Sequence, residues 1–427
     1  MPGDDRTPLI EDRALRGGDL VLSPGTLQDW LSGTLGVPCR VVPRRLRYKA
    51  GTSAVLGFDL TTDYGGVAST QPCVASAFAD DSAAKVEKSR LQAPPHVLLA
   101  QDLERHALVT TAEGDRALPL LPRLGQPDGL VRLVSRLLPD ASDTAGTRTR
   151  TIRHNPGRRW VGTLERTDHP TLLLRAYDGS ASLARAVACY RELAHNPAPT
   201  PKLVARSHSF AVLAVTWVDG VDLGRTPGRT DLWHGAGREL ARLHDGPRAG
   251  LRHAAPGSDV AAVHAAGRQI AALVPELADD VVSTARTTAR ELQHLPSGSV
   301  AIHGDFSPDQ VVTGPDGVIS FIDLDAARLG TAAHDLGCLT ASTMVCAEAT
   351  GTVARGQEQL AAFLAGYGEV RSPPDAFAVA LHTVAFRLRK AVDPFRECAP
   401  TWREQVEQRV AAARVALDDL LVVGRCR

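Results

Sequence analysis

Short runs of alternating apolar and polar residues dominate the middle of the chain, and turn-forming residues separate them. A period of two predicts half-buried β-strands, and the β-branched content of the runs agrees. We therefore predict strands near 159–165, 170–177, 202–207 and 211–217. A helix is predicted over 181–194, with an apolar face made by Ala184, Val187, Ala188 and Leu193.

Part of this pattern occurs earlier in the chain. The sequence RYKAGTSAVLGF over 47–58 resembles RHNPGRRWVGTL over 153–164, which begins 106 residues later. The same shift relates the segments that start at Pro95 and Pro201. Repetition at a fixed spacing is the mark of a repeated structural unit, so we predict a duplicated strand-rich unit.

The predicted elements divide the chain into four parts. The earlier copy occupies 1–125, and a short amphipathic helix followed by a polar linker spans 126–150. The later copy occupies 151–224. Helical patterns then dominate 225–427, interrupted only by a strand-rich stretch near 300–325. Strands followed by helices predict an α+β fold.

Composition narrows the choice of partners. Positive and negative residues balance at 48 each, so no basic excess indicates nucleic acid or an anionic membrane. The N-terminus is acidic and lacks an apolar core, and no stretch approaches the length of a membrane span. The seven cysteines include no CxxC pair, which argues against a zinc site and a disulfide framework. These features predict a cytoplasmic protein with reduced thiols.

Candidate chemistry lies in the stretch SVAIHGDFSPDQVVTGPDGVISFIDLD. An apolar strand ends before His303, Gly304 and Asp305, and a hairpin turn leads to a second apolar strand that carries Asp323 and Asp325. We expect this hairpin to bring Asp323 and Asp325 back beside Asp305.

Phosphoryl transfer requires a carboxylate that orients the attacking hydroxyl and ligands that hold Mg²⁺. Asp305 could accept the hydroxyl proton, while Gln310 and Asp323 could offer oxygen atoms to the metal.

Ordered motifs in this stretch resemble those of the aminoglycoside-phosphotransferase, or kinase-like, superfamily. HGDFSPDQ is similar to its H-G-D-x-x-x-x-N catalytic loop, and FIDLD is similar to its I-D-x-D metal motif. HDLG at 334–337 and RELARLH at 238–244 also fit the family pattern.

The resemblance implies an ATP- and Mg²⁺-dependent kinase with a two-lobed fold, an antiparallel-sheet small lobe and a mainly helical large lobe. It also implies a residue set. The catalytic residues would be Asp305 and His303, and the metal ligands would be Gln310, Asp323 and Asp325.

The same resemblance makes the later copy the ATP-binding small lobe. The hinge that offers backbone groups to adenine would be Thr216, Trp217 and Val218. Arg175 would take the place of the lysine on the third strand, and Glu192 would be the helix glutamate.

The sequence departs from the family pattern in three ways. Gln310 replaces the usual asparagine, which adds a methylene to the metal ligand. Arg175 replaces lysine and is not equivalent to it, although it can bind phosphate. The return turn, ERTDHPT, supplies no glycine-rich loop.

The earlier copy lacks the residues that would bind ATP. Between the two segments related by 106 residues the shift falls to about 99, which aligns Phe78 with Tyr177 and brings Ser76 near the position of Arg175. No HGD follows the earlier copy. We expect it to be a degenerate small-lobe-like domain with a structural role, or one that binds substrate or a protein partner.

Three functions remain open on the sequence alone. The first is a kinase for a hydroxyl of a small molecule such as an aminocyclitol, a sugar or another natural product. The second is a Ser/Thr kinase for a peptide, and the third is a pseudokinase that regulates a partner. Acidic candidates for acceptor binding (Glu348, Glu358 and Asp393) are mixed with Arg387, Arg389 and Lys390, which disfavours a polycationic acceptor.

Overall fold

The computed structural model describes residues 9–92, 94, 96–140, 144, 146–248 and 250–425. Pro95 and parts of the linker predicted over 126–150 lie outside the described residues. The chain forms two compact units. The first unit contains the chain up to Leu183 with Val204–Val215 and Asp393–Trp402, and the second contains Ala184–Leu203, Thr216–Val392 and the chain from Arg403.

The first unit begins with two short helices and a five-stranded antiparallel sheet in the order β1-β2-β3-β5-β4. Its elements are α1 (Gly18–Leu22), α2 (Pro24–Leu35), β1 (Cys39–Lys49), β2 (Ser53–Tyr64), β3 (Val67–Phe78), α3 (Ala83–Gln92), β4 (Leu98–Asp102), β5 (Ala107–Thr111), α4 (Leu120–Leu124) and α5 (Gly129–Leu137).

A second five-stranded sheet follows, in the order β6-β7-β8-β10-β9. Its elements are β6 (Arg148–Asn155), β7 (Arg159–Glu165), β8 (Leu172–Tyr177), α6 (Ser180–Leu193), β9 (Leu203–Ser207) and β10 (Val212–Thr216). The strands and helix predicted from the alternation agree with β7 to β10 and α6. The alternation did not reveal β6, because this edge strand is mostly exposed and polar on both faces.

The two sheets have the same strand order and corresponding registers. Ser76 pairs with Val55 in the first sheet, and Arg175 pairs with Val161 in the second. The backbone N–H of Phe78 donates to the carbonyl of His106 at 3.2 Å, as that of Tyr177 donates to Ala211 at 2.9 Å. Both acceptors have positive φ, at 53° and 48°. Ser76 is thus the topological counterpart of Arg175.

The predicted helix within 126–150 packs on the second sheet. Leu133 and Leu137 of α5 share one buried cluster with Trp160, Leu174 and Val212 of β7, β8 and β10. Burying this apolar face stabilises the helix, because a helix of nine residues is marginal in isolation.

The second unit is mainly helical and contains two small antiparallel sheets, β11-β13-β14 and β12-β15. Its elements are β11 (Val221–Asp222), α7 (Thr230–Asp245), α8 (Ser258–Leu273), α9 (Ala278–His294), β12 (Val300–Ile302), β13 (Val311–Thr313), β14 (Ile319–Phe321), β15 (Arg328–Gly330), α10 (Ala332–Ala349), α11 (Val353–Val370), α12 (Ala376–Lys390) and α14 (Trp402–Arg425). In the sequence, the short helix α13 (Asp393–Arg396) comes between α12 and α14, and it belongs to the first unit. This α+β arrangement has the predicted kinase-like fold. Within the described part of the chain, the helices lack the long apolar stretch that crossing a bilayer requires.

Candidate active site

The predicted catalytic loop leaves β12 at Ile302 and turns sharply at Gly304. Gly304 has φ +84°, and a Cβ atom there would collide with the carbonyl oxygen of Ala326. Only glycine adopts this conformation without strain and fits the space. The turn leaves Asp305 exposed, although His303 and Phe306 beside it are buried. An exposed carboxylate on a buried, constrained loop can meet an acceptor molecule.

Asp335 of α10 fixes the backbone of this loop. Its carboxylate accepts hydrogen bonds from the N–H groups of His303, at 2.6 Å, and Gly304, at 2.9 Å. It also lies 3.2 Å from Nε2 of His244. Burial acts to raise the pKa of Asp335, but hydrogen bonds from His244 and His334 outweigh it and hold the pKa far below its usual range. The group is therefore a buried carboxylate that orients the loop.

His303 joins the loop to the predicted metal hairpin. Its ring is fully buried, and Nε2 lies 2.8 Å from the carbonyl oxygen of Ile322, the residue before Asp323. A buried ring bonded to the backbone cannot touch an acceptor in solvent. The sequence grouped His303 with the catalytic residues, whereas its geometry is that of a positioning residue.

The hairpin of β13 and β14 brings the predicted metal ligands to neighbouring strand ends. Val311 pairs with Phe321, and the N–H of Ile322 donates to the carbonyl of Gln310 at 2.9 Å. Asp323 follows with φ +61°, a left-handed conformation, and it is half-buried like Asp325.

The oxygen donors at this hairpin fit Mg²⁺. The side-chain N–H of Gln310 donates to Asp309 at 2.9 Å, which leaves the amide oxygen as its remaining polar atom. Mg²⁺ is usually held by one or two carboxylates together with water and phosphate oxygens. Among the described residues, no three His, Cys, Asp or Glu side chains form a metal site by themselves. A site formed by Asp323, Asp325, the amide oxygen of Gln310 and nucleotide oxygens agrees with the ligand preference of Mg²⁺ and does not need a third such side chain.

The predicted hinge lies beside the same hairpin. Thr216 is held to Lys202 by two hydrogen bonds, one from its N–H at 2.9 Å and one to its hydroxyl at 3.0 Å. Five residues after Thr216, β11 begins to pair with β13, and Val221 lies opposite Thr313. Trp217 is exposed and donates from its ring nitrogen to Asp219 at 2.6 Å, and Val218 is half-buried.

Arg175 and Glu192 belong to different compact units. Arg175 lies on β8 of the first unit and is only 4% exposed. Glu192 lies on α6 in the second unit, where its carboxylate contacts Gly250 so closely that a Cβ atom there would collide with it.

Several residues that build the site were not assigned roles from the sequence. Asp335 and His244 lie in the HDLG and RELARLH motifs, which served only as family markers. The other ring nitrogen of His244 lies 2.8 Å from the hydroxyl of Tyr367, and Arg328 lies 2.8 Å from Nε2 of His334. The signal available was a histidine and an aspartate inside apolar helical patterns, and it did not reveal which groups they would contact.

Comparison with known proteins agrees with this architecture. A family model described as "Phosphotransferase enzyme family" matches residues 154–380, more than half of the chain. A search of curated proteins found no match.

Three solved structures illustrate the similarity. Choline kinase from Cryptosporidium parvum is 12% identical with a TM-score of 0.54, covering 70% of this chain and 97% of its own. Amicoumacin kinase hAmiN, bound to AMP-PNP, Ca²⁺ and Ami, is 12% identical with a TM-score of 0.52, covering 69% and 93%. Spectinomycin phosphotransferase, bound to ADP and spectinomycin, is 13% identical with a TM-score of 0.48, covering 68% and 98%. At these identities the choline kinase and amicoumacin kinase structures show a likeness of fold alone.

Proposed function

This chain belongs to the phosphotransferase enzyme family, and we propose that it transfers the γ-phosphate of ATP to a hydroxyl group of a small molecule. The family membership supplies the reaction class. One observation supports the assignment of residues: Asp335 binds the backbone of the loop that presents Asp305, while His303 of that loop binds the backbone just before Asp323. The carboxylate that meets the acceptor and those that meet the metal thus belong to one hydrogen-bonded framework.

Asp305 is the catalytic carboxylate in this proposal. The acceptor oxygen forms a bond to the γ-phosphorus, and the bond from that phosphorus to the β–γ bridging oxygen breaks, which leaves ADP. Asp305 orients the acceptor hydroxyl and takes its proton, and the proton then passes to solvent. Asp305 needs no covalent role, because positioning and charge stabilisation supply most of the catalysis in this class of reaction.

The remaining site residues have binding roles. Gln310, Asp323 and Asp325 would hold Mg²⁺, which neutralises charge on the phosphate oxygens when bound. Arg175 would bind phosphate oxygens, Glu192 would be the helix glutamate of the small lobe, and Thr216, Trp217 and Val218 would contact adenine. The N–H of Thr216 already donates to Lys202, so we assign adenine recognition to the carbonyl of Thr216 and to the backbone groups of Trp217 and Val218. The AMP-PNP complex of amicoumacin kinase supports nucleotide binding by this fold.

The decisive experiment compares the wild type with Asp305→Asn, which keeps the shape of the side chain and removes its basicity. We expect ATP affinity to stay within about threefold and turnover to fall by roughly 10²-fold or more. ATP consumption and phosphorylated product are measured together across sugars, aminocyclitols and other hydroxyl compounds. A matched control is Asp316→Asn, since this exposed aspartate lies in the hairpin turn of the same unit. Equal turnover in Asp305→Asn and wild type would overturn the assignment.

A further inference from the structure

Helix α10 borders the candidate catalytic carboxylate. Sγ of Cys338 lies 4.0 Å from Oδ1 of Asp305, so the face of α10 that contains Cys338 borders the catalytic carboxylate. Cys338 and Ala341 share a buried cluster with Phe386 of α12. This cluster connects the surroundings of Asp305 directly to α12.

Two cations lie at the adjoining end of α12. Helices α10 and α12 approach closely, because a Cβ atom at Gly337 would collide with His382. Lys390 comes four residues after Phe386, which is one turn further on the same face of the helix. The Arg389 guanidinium lies 4.4 Å from the centre of the Phe386 ring. The Arg389 charge is therefore held against Phe386, and Lys390 lies on the same face of α12 one turn further along.

The electrostatics of Cys338 agree with this placement. Burial raises the pKa of its thiol well above the ordinary value, and the negative charge of Asp305 adds to the rise. Lys390 and Arg389 oppose it. The two cations therefore act at the same place as the Asp305 carboxylate.

Of the acidic candidates for acceptor binding named from the sequence, Glu348 lies on α10, and its carboxylate is already paired. Glu348 of α10 accepts two hydrogen bonds from Arg387, at 3.0 Å and 2.6 Å, and Arg387 is buried. Neither Arg389 nor Lys390 forms an ion pair with a carboxylate within the described ranges, and both are half-buried. Half-buried cations without carboxylate partners bind anions well, because hydrogen bonds between charged groups are the stronger ones.

We propose that the acceptor is an anionic alcohol, carrying a carboxylate or a phosphate group that Lys390 and Arg389 bind while Asp305 orients the hydroxyl. This inference rests on the proposed function and specifies its substrate class. Lys390 supplies a compact charge with three donors, and Arg389 supplies a planar fork that matches a carboxylate or phosphate. Neutral hydroxyl compounds would bind without these contacts, and cationic compounds would meet repulsion.

The test uses hydroxyl compounds that differ in charge but share a scaffold. D-glucuronate, D-glucose and D-glucosamine form one series, and glycerate, glycerol and 3-amino-1,2-propanediol form another. Phosphorylation is measured as kcat/KM for each compound, and binding is measured by calorimetry with Mg²⁺ and a non-hydrolysable ATP analogue. We expect the anionic member of a series to be the best acceptor and the tightest ligand.

The double variant Lys390→Gln with Arg389→Gln tests whether the two cations bind the anionic group of the acceptor. We expect its kcat/KM and affinity for the anionic compound to fall by at least about tenfold, and its values for the neutral compound to stay within about threefold. Lys390→Glu should shift the preference towards the cationic compound. The matched control is Arg414→Gln, which removes a surface cation of α14 that pairs with Asp280.

Several results would overturn the inference. One is a wild-type enzyme that binds the neutral or cationic member as tightly as the anion, or that binds none of them. Another is a variant whose KM for ATP rises while its selectivity among acceptors stays the same, since the cations would then bind the nucleotide. If the double variant had a lower Tm but unchanged selectivity among acceptors, the two cations would only stabilise the end of α12. A preference for neutral acceptors leaves the proposed function intact, whereas ATP binding without any phosphate transfer overturns the proposed function.

Discussion

Nε2 of His154 lies 2.9 Å from Oδ2 of Asp115, and this contact links the segment that follows β5 to the first strand of the second sheet. The same carboxylate accepts hydrogen bonds from the N–H groups of Gly157, at 2.6 Å, and Ala117, at 3.2 Å. Arg47 of the first sheet donates to the carbonyl of Pro156 at 2.6 Å. Residues of the first copy thus fix the turn between β6 and β7.

Replacing Asp115 should destabilise the first unit. Its side chain is only 7% exposed, so Asp115→Ala leaves two backbone N–H groups without their acceptor in a buried place. We expect a loss of about 2–4 kcal/mol in the free energy of unfolding. The control is Asp63→Ala, because exposed Asp63 accepts from Gly66 at 2.7 Å in a surface turn and should cost less than about 1 kcal/mol. Urea unfolding measures both, and equal losses would contradict the role assigned to Asp115.

Nucleotide binding should depend on the second sheet and not on the first. Arg175→Ala should weaken ATP binding by about tenfold or more, since it removes a charged phosphate ligand. Ser76→Ala is the matched control, because Ser76 has the corresponding register in the first sheet. Arg175→Lys keeps the charge and should recover part of the affinity. ATP affinity is measured by calorimetry on variants whose Tm is also recorded. Unchanged affinity in a folded Arg175→Ala would exclude this residue from the nucleotide site.

The effect of Mg²⁺ on nucleotide affinity should depend on the residues at the ends of the β13–β14 hairpin. Asp323→Asn removes a charge from the cation site, so the Mg²⁺ concentration required for half-maximal ATP binding should rise by about tenfold or more. Gln310→Asn keeps an amide oxygen and should be tolerated, whereas Gln310→Ala should not be. Removing Mg²⁺ with a chelator should abolish the differences among these proteins. Identical Mg²⁺ titrations for wild type and Asp323→Asn would rule out this hairpin as the metal site.

The sequence predicted most strands of the second sheet because their runs are rich in apolar and β-branched residues, and β8 and β10 are indeed mostly buried. It did not reveal β6, which is mostly exposed and polar and therefore need not alternate. The four-part domain division stays a prediction. The equal strand orders agree with the proposed duplication, which the sequence indicated through the shift that relates 47–58 to 153–164.

The site was predictable where chemistry constrains single residues and unpredictable where it depends on long-range contacts. Asp305 and Asp323 stand out because each follows closely on the end of an apolar strand, in motifs whose order resembles that of a known family. The role of Asp335 depends on contacts with His303 and His244, which lie 32 and 91 residues away in the chain. No local pattern encodes such contacts. The assignments of the site residues themselves stay predictions.

The last prediction concerns the pH dependence of stability and His382 of α12. Burial, followed by the positive charge of His334, lowers the pKa of His382 to about 4. Arg328 acts in the same direction, and the carboxylates of Asp259 and Asp335 oppose it. An unfolded histidine has a pKa of about 6.5. As the pH falls from about 6.5 to about 4, the unfolded chain binds a proton that folded His382 does not. The contribution of His382 therefore stabilises the fold above this window and is lost progressively through it.

The loss can amount to about 3 kcal/mol, since each pH unit corresponds to about 1.4 kcal/mol. His382→Gln removes the titrating group, so its free energy of unfolding should decline less than that of the wild type between pH 6.5 and pH 4. His169→Gln, at an exposed position, is the matched control and should follow the wild type. Urea unfolding at pH 4.5, 5.5, 6.5 and 7.5 measures the three proteins. Parallel stability curves for wild type and His382→Gln would show that folded His382 takes up its proton as readily as an unfolded histidine does.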